Sequence, residues 1–330
     1  MRPSKNRKSV IKSQNILAYA CLLIAMLIVS GNFIFGNRAV QEIPAFTLVF
    51  WRTSIGALFL LPLALLSRGH IIEFIKQNKL KTFALVLSGL VLRPWFVYMA
   101  LNSPKLTDIS VGVLAVPLMT IIFSVFLLNE RLSYLQILGL ILAFFGSAIF
   151  AFHGDLEHLR NFDPHIEFLW ILVASTFGSL YLVLLKRWDV HPSPSEGLFG
   201  LLLVATIILL PGFIHHAMTD LHPLEYSRGL WGSVLFVGIG MGGLYLFLMG
   251  YVISRIGATT ASLFTLIIPA LVAVESVLFL NSSLHIYQAV GGLLVATGVL
   301  FVLNFRPLPA TESPATESPA TEAAIEATTE

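Results

Sequence analysis

The sequence SVGVLAVPLMTIIFSVFLLNERLSYLQILGLILAFFG at residues 110–146 has a second version, SLFTLIIPALVAVESVLFLNSSLHIYQAVGGLLVATG, at residues 262–298. An offset of 152 positions aligns the two versions without a gap. The residues that are identical in both are Ser110/Ser262, Leu114/Leu266, Pro117/Pro269, Ser124/Ser276, Val125/Val277, Leu128/Leu280, Asn129/Asn281, Leu132/Leu284, Gln136/Gln288, Gly139/Gly291, Leu142/Leu294 and Gly146/Gly298. Chance would give about three or four identities in so apolar a composition. The sequence therefore indicates an internal duplication, with residues 108–152 repeated as 260–304.

The composition is typical of an integral membrane protein. Hydrophobic residues make up 56% of the chain and charged residues 12%, against about 45–50% and 25% in a soluble domain. Apolar stretches of about 20 residues, the length that crosses a bilayer, are predicted at 16–36, 44–67, 82–101, 108–128, 134–152, 166–185, 197–214, 229–252, 257–280 and 285–304. The predicted fold is all-α, with ten transmembrane helices in two five-helix repeats.

The basic residues predict the orientation of these spans. Lys and Arg concentrate in the segments that are cytoplasmic if the N-terminus is inside, and the outer loops hold only Arg38, Lys105, Arg160 and Arg228. Both termini are therefore expected in the cytoplasm, in a multi-pass protein of the inner (plasma) membrane. Because each half has an odd number of spans, the two repeats are expected to be inverted. The turn at Glu130 then faces the cytoplasm, and its counterpart at Ser282 faces outside.

The spans divide the chain into five parts. These are a basic cytoplasmic N-terminus at 1–15, a first five-helix repeat at 16–152, an outer loop at 153–165, a second repeat at 166–304 and a cytoplasmic tail at 305–330. The first apolar run is too long for a secretory signal peptide, so it is interpreted as an uncleaved anchor. The tail repeats Pro-Ala-Thr-Glu-Ser without apolar periodicity, which predicts disorder.

Three ionisable residues lie deep within the predicted spans: Arg52, Arg93 and Glu275. Each would cost about 2.5–3.5 kcal/mol at the centre of a bilayer, so each is expected to face protein or a wet cavity. Side chains lean toward the N-terminus of their helix. In their outward-running spans, Arg93 and Glu275 lean toward the midplane, which predicts a cavity facing both. Arg52 leans outward, and either a snorkelled or a functional arginine fits that position.

Two roles stay open for the charged residues. Arg93 either binds an anionic group of a substrate or pairs with Glu275, and Glu275 is a candidate to carry a coupling proton. Alternatively, a buried ion pair holds the halves in register. Asn32, Trp95, Tyr98 and Tyr245 complete the predicted substrate cavity, although core packing or helix association explains residues of these types equally well.

Prolines and glycines predict bends and close contacts. Pro117 and Pro269 occupy equivalent places in the two repeats and are hinge candidates, with kinked packing as the alternative. Arg93-Pro94-Trp95 interrupts the third span. Glycines at 238, 240, 242 and 243 lie inside an apolar span with no following lysine, so they predict close helix approach and not a phosphate-binding loop.

Other classes of site are not predicted. The nine histidines fall in loops or at span ends, where they do not converge as metal ligands do. Cys21 is the only cysteine, which excludes an intramolecular disulfide. No nucleophile elbow or nucleotide-binding motif is found. We therefore expect no metal, no cofactor, no nucleic-acid partner and no enzymatic activity.

Several motifs resemble those of EamA-type members of the drug/metabolite transporter superfamily. The opening of the family is similar to Ser30-Gly31-Asn32-Phe33, Asn37-Arg38-Ala39, Pro44, Phe50-Trp51-Arg52 and Leu61-Pro62, and its repeat ending to Pro117, Asn129-Glu130-Arg131-Leu132, Gly139 and Gly146, echoed by Pro269, Gly291 and Gly298. The resemblance covers about residues 15–304. The sequence differs from the family pattern at Ser282-Ser283, where the family often has an acidic residue after the ninth span.

This resemblance implies a ten-helix carrier whose two halves enclose a central cavity. Such carriers move small metabolites, among them amino acids, nucleosides, sugars and drugs, by alternating access without nucleotide hydrolysis. The predicted function is therefore secondary transport of a small-molecule substrate across the lipid bilayer. The alternative is a non-transporting membrane scaffold or sensor, although an inverted duplication favours transport.

Overall fold

The computed structural model describes residues 5–66, 78–102, 113, 115–129, 133–152, 154–155, 166–188, 196–219, 226–268, 271, 274 and 286–304. Several sequence predictions lie outside these residues: those for Glu130, Pro269, Glu275, Ser282 and the tail after Asn304. Within the described ranges, every regular element is helical.

The helices follow the apolar stretches of the sequence. They are α1 Lys5–Val40, α2 Ala45–Leu66, α3 Lys79–Leu101, α4 Ala115–Leu128, α5 Tyr134–Ala151, α6 Ile166–Arg187, α7 Glu196–Thr219, α8 Arg228–Ile256, α9 Ala258–Leu263 with its 3-10 continuation Phe264–Ile267, and α10 Ile286–Asn304. In the described part of the chain, six helices (α1, α2, α3, α6, α7 and α8) are long and apolar enough to cross a membrane. Helices satisfy every backbone hydrogen bond internally, which is what a lipid environment requires.

Helices α3 and α8 share an irregularity of the backbone. Each contains a π-helical segment, Val86–Leu92 in α3 and Phe236–Leu244 in α8. The segments end at positions 152 apart, which is the offset of the sequence repeat. The first residue after each segment donates its backbone N–H five residues back, from Arg93 to the Ser88 carbonyl and from Tyr245 to the Gly240 carbonyl. The duplication has therefore preserved a local distortion of the helix.

The sequence predicts an interruption of the third span at Arg93-Pro94-Trp95. In the structure, the irregular segment lies one to two turns earlier, at Val86–Leu92. Pro94 has no backbone N–H, so the turn before it lacks one regular hydrogen bond. The carbonyl that loses this bond lies within the π-helical segment of α3. Helix α8 carries the same distortion without a proline, and there it coincides with the glycines at 238, 240, 242 and 243, which have a low helix propensity. π-helical segments often accompany functional sites.

Helices α5 and α10 join the two repeats through reciprocal glycine contacts. A Cβ atom built on Gly146 would lie 2.7 Å from the Gly291 carbonyl oxygen, and one built on Gly298 would lie 2.5 Å from the Gly139 carbonyl oxygen. Gly298 is the equivalent of Gly146, and Gly139 is the equivalent of Gly291, so the second contact is the first with the two repeats exchanged. Because residue numbers rise along one helix as they fall along the other, the two helices are antiparallel and related by a local twofold axis.

Helices α2 and α8 cross with their backbones in contact. A Cβ on Gly242 would lie 2.1 Å from the carbonyl oxygen of Arg52, and a Cβ on Gly56 would lie 2.6 Å from the carbonyl carbon of Gly242. Gly238 and Gly243 also face α2, against Ile55 and Phe59. This confirms the close approach expected from the glycines of α8, and it fixes Arg52 beside the π-helical segment of that helix.

The packing between the repeats is reciprocal elsewhere as well. Helix α1 packs against the second half of α8, and its counterpart α6 packs against the second half of α3. Likewise, α2 contacts the π-helical segment of α8, and α7 contacts that of α3. Exchanging the two repeats therefore preserves these contacts, as a pseudo-twofold axis between the repeats requires.

Candidate functional site

A cavity lies between the two repeats and is lined by residues of both. Its wall is mainly apolar, and its polar side chains are those of Asn32, Arg52, Arg93, Tyr98, Ser175, Tyr245 and Thr265. Apolar pockets with a few convergent polar groups are typical of small-molecule binding sites. All the predicted cavity residues except Trp95 therefore line this one cavity.

The wall itself contains equivalent positions of the two repeats. At the offset of 152, the lining residues form the pairs Arg93/Tyr245, Val97/Met249, Val113/Thr265 and Val116/Ile268. The cavity therefore lies on the pseudo-twofold axis. The two members differ in every one of these pairs, so the backbone frame is nearly symmetric whereas the chemistry of the wall is not.

Arg52 is the most deeply buried charged side chain described, with 1% of its surface exposed. Its Nη2 atom donates a hydrogen bond of 3.3 Å to the carbonyl oxygen of Met241, within the π-helical segment of α8. The Nε and Nη1 atoms are buried and have no hydrogen-bond partner among the described residues. Arg52 does not snorkel to the outer surface, because the contact of α2 with Gly242 holds it in the interior.

Arg93 belongs to the first repeat and contacts two helices of the second, α6 and α8. It follows the π-helical segment of α3 and rests on α6, where a Cβ on Gly178 would lie 2.6 Å from its Nε atom. Its guanidinium carbon lies 5.7 Å from the centroid of the Tyr245 ring, which is a cation–π distance. Arg93 and Tyr245 are equivalent positions, so this contact crosses the pseudo-twofold axis.

Tyr98 and Asn32 connect α3 with α1 beside the cavity. Both side chains are buried, and the Tyr98 hydroxyl donates a hydrogen bond of 3.2 Å to the Asn32 side-chain oxygen. Gly36, one turn after Asn32, leaves room for the Tyr98 ring, which would lie 3.3 Å from a Cβ at that position. The pair is therefore a fixed part of the wall.

Trp95 and Pro117 do not belong to the described lining of the cavity. Trp95 lies in an aromatic cluster, with its ring 5.8 Å from that of Phe46 and 6.0 Å from that of Phe96. Pro117 is buried in α4, directly after Val116, whose carbonyl oxygen accepts a 2.9 Å hydrogen bond from Ser179 of α6. The hinge role of Pro117 stays a prediction.

The described wall carries positive charge without a compensating carboxylate. Arg52 and Arg93 line the cavity together with the phenols of Tyr98 and Tyr245, and the Arg93 guanidinium lies over the Tyr245 ring. No Asp or Glu is found among the lining residues that the structure describes. Such a wall favours an anionic ligand, since charged groups interact more strongly away from water.

Three features of the site were missed by the sequence analysis. These are the Met241 carbonyl that binds Arg52, the space above Gly178 that accommodates Arg93, and Tyr181, whose ring would lie 2.2 Å from a Cβ on Gly89. A carbonyl and a glycine leave no signal of their own in a sequence. The equivalence of Arg93 and Tyr245 follows from extending the offset of 152 to the third span, whereas their contact is seen only in the structure.

Comparisons with known proteins agree with this arrangement. The model of the EamA-like transporter family matches residues 16–152 and, a second time, 165–304. The chain is 24% identical to the S-adenosylmethionine uptake transporter of Rickettsia bellii (strain RML369-C), over 85% of this chain and 91% of that protein. It is 23% identical to the uncharacterized transporter YyaM of Bacillus subtilis (strain 168), over 76% and 81%. A solved crystal structure at 18% identity has the same fold, with a TM-score of 0.67 over 86% of this chain and 95% of that one.

Proposed function

Because the chain belongs to the EamA-like transporter family, we propose that it is a secondary transporter that moves small metabolites by alternating access about the cavity between its repeats. The observation that carries this proposal is the position of the cavity. Its wall contains equivalent residues of both repeats, and Arg93 and Tyr245 meet across the pseudo-twofold axis. A site at the interface of two related halves can be exposed to either side when one half rocks against the other.

The full architecture in this proposal is ten transmembrane helices in two inverted repeats. The antiparallel contact of α5 with α10 and the reciprocal packing elsewhere support the inversion. The distribution of Lys and Arg supports cytoplasmic termini, and the family supports the inner membrane. Helices α3 and α8 have π-helical segments next to the cavity, and irregular helices at such a place suit segments that move.

The substrate in this proposal is an amino acid, a related metabolite or a drug of similar size. S-adenosylmethionine is the first compound to test, since relatives at 24% identity carry that name. Glu275, which lies outside the described residues, is the proposed site of proton coupling. No catalytic chemistry is assigned to the chain. A scaffold or sensor, the alternative, would give no reason for an internal cavity with two arginines.

The test is flux in liposomes containing the purified full-length protein. Vesicles loaded with S-adenosylmethionine or a mixture of amino acids should exchange their contents with labelled external compound, and Arg93→Gln should reduce this exchange. Arg255→Gln is the matched control, because Arg255 also lies over a tyrosine ring of α8, that of Tyr251, but is exposed. Exchange no faster than in protein-free vesicles, for every compound, would contradict the proposal. In the same vesicles, an unchanged response of Glu275→Gln to a pH gradient would remove the coupling role.

A further inference from the structure

We propose that the cavity recognises its substrates through an oxyanion group, a carboxylate or a phosphate, which binds between the guanidiniums of Arg52 and Arg93. This inference rests on the proposed function for the identity of the ligand as a substrate. The binding of the oxyanion itself can be measured without transport. It deepens the functional assignment, because it states which chemical feature a substrate must carry.

Arg52 supplies the first argument, through donors that lack an acceptor. Only its Nη2 atom is bound, by the Met241 carbonyl, whereas Nε and Nη1 are buried and unpaired within the described part of the chain. Buried polar groups nearly always have a hydrogen-bond partner. Arg52 also lines the cavity, so a ligand there is the natural source of the missing acceptor. An oxyanion provides several acceptor atoms and the opposite charge.

Arg93 supplies the second argument, through its orientation. Its side chain is confined between Gly178 of α6 and the Tyr245 ring of α8. A cation–π contact at this distance does not use the guanidinium N–H groups as hydrogen-bond donors to an oxygen atom, so they stay available for an oxyanion. Arg93 is half-buried and lines the same cavity as Arg52. The two cations therefore face one ligand.

The charge of the wall supplies the third argument. Two guanidiniums that line one mainly apolar cavity repel each other, and an anion placed between them offsets that repulsion. A ligand with only a cationic group would add a third positive charge, with no Asp or Glu among the described lining residues to balance it. The site should therefore reject amines that lack an oxyanion and accept acids, zwitterions and phosphate esters.

The experiment is an equilibrium binding series on the purified full-length protein in detergent micelles, measured by the shift of its thermal unfolding. The probes are phenylalanine, phenylalaninamide, 3-phenylpropionate, phenyl phosphate and S-adenosylmethionine. The first three differ only in the charged groups on one skeleton, and phenyl phosphate distinguishes phosphate from carboxylate as the preferred oxyanion. At least one oxyanion should bind about 10-fold more tightly than the amide, which has no negative charge.

Variants test whether the two arginines are responsible. Arg52→Gln and Arg93→Gln should each raise the dissociation constant of the oxyanion probes about 10- to 100-fold, because each removes a charge-assisted hydrogen bond. Arg255→Gln, which removes an exposed cation of α8, should leave it unchanged. If Arg52→Gln does not fold, Arg52→Lys replaces it, because lysine keeps the charge with fewer hydrogen-bond donors. Arg93→Gln tests the role of Arg93 independently.

Three results would overturn the inference. They are equal binding of the amide and the acids, the absence of binding by every oxyanion, and unchanged affinity in a folded Arg93→Gln protein. Binding without flux in liposomes would contradict only the transport function. Flux of a compound without an oxyanion would contradict only this inference.

Discussion

Helices α3 and α8 are the same structural element with different chemistry. Both contain a π-helical segment that ends at equivalent residues, Leu92 and Leu244, and both resume as α-helix next to the cavity. The next residue is Arg93 in one helix and Tyr245 in the other, and these two side chains contact each other. The duplication has kept the backbone frame and changed the residue that lines the cavity.

The same division holds across the molecule. Glycines that allow α5 and α10 to touch are identical in the two repeats, as Gly139/Gly291 and Gly146/Gly298. In contrast, the equivalent pairs in the cavity wall all differ. Substitutions at packing positions should therefore have equal effects in the two repeats, whereas substitutions at cavity positions should not.

The largest effect is expected where α2 and α8 cross. Gly242→Ala should lower the free energy of unfolding by about 3 kcal/mol or more, because the new Cβ would lie 2.1 Å from the backbone oxygen of Arg52 and the helices must separate. Gly250→Ala is the matched control in the same helix, since a Cβ there meets nothing within 4 Å. Helix propensity should stabilise that variant by up to about 1 kcal/mol. Denaturant unfolding in micelles measures both, and equal stabilities would contradict the crossing.

The equivalent glycines of α5 and α10 should respond alike. Gly146→Ala and Gly298→Ala each place a methyl group against the carbonyl oxygen of the facing helix, so each should lower the free energy of unfolding by about 2 kcal/mol. The values should agree within about 0.5 kcal/mol if the contact is symmetric. A large loss of stability at one position with none at the other would contradict a symmetric contact between α5 and α10.

The cavity pair should respond unequally. Arg93→Tyr should weaken the binding of an oxyanion probe by at least about 10-fold, because the guanidinium is lost. Tyr245→Phe should change it by less than about 2-fold, because the ring that faces Arg93 is kept. The exchange variant Arg93→Tyr with Tyr245→Arg should recover part of the affinity, since it restores one guanidinium at the axis. Equal losses in the two single variants would contradict the assigned asymmetry.

The smallest effect is expected beside the cavity. Tyr98→Phe removes the hydrogen bond to Asn32 and should lower the free energy of unfolding by about 1 kcal/mol. The ring still fills the space next to Gly36, so ligand affinity should change little. Thermal unfolding with and without phenylalanine or S-adenosylmethionine separates the two quantities. A loss of affinity as large as that of Arg93→Tyr would make Tyr98 a ligand-binding residue.

Much of the frame could be predicted from the sequence, because it depends on repeating signals. Apolar runs of bilayer length placed the helices, and the glycines of α8 indicated its close contact with α2. The π-helical segments were not predicted, since an apolar run of bilayer length does not distinguish an α-helical turn from a π-helical one. Only the proline after Arg93 hinted at one of them.

The site was predicted less completely, because its geometry depends on contacts that leave no pattern. Depth in the membrane identified Arg52 and Arg93, yet it could not decide whether Arg52 snorkels. That depends on the backbone contact at Gly242 and the carbonyl of Met241. Trp95 has the residue type of a ligand contact, but its ring packs against Phe46 and Phe96 outside the described lining.

The central claim is that the two repeats lie in opposite orientations in the membrane, with the cavity between them. Cys21 is the only cysteine, so a Cys21→Ala background allows single cysteines at the equivalent positions Glu130 and Ser282 to be labelled in intact cells with a membrane-impermeant thiol reagent. The account predicts labelling of the cysteine at 282 from outside and of the cysteine at 130 only after the cells are opened. Labelling of both from the same side would contradict it.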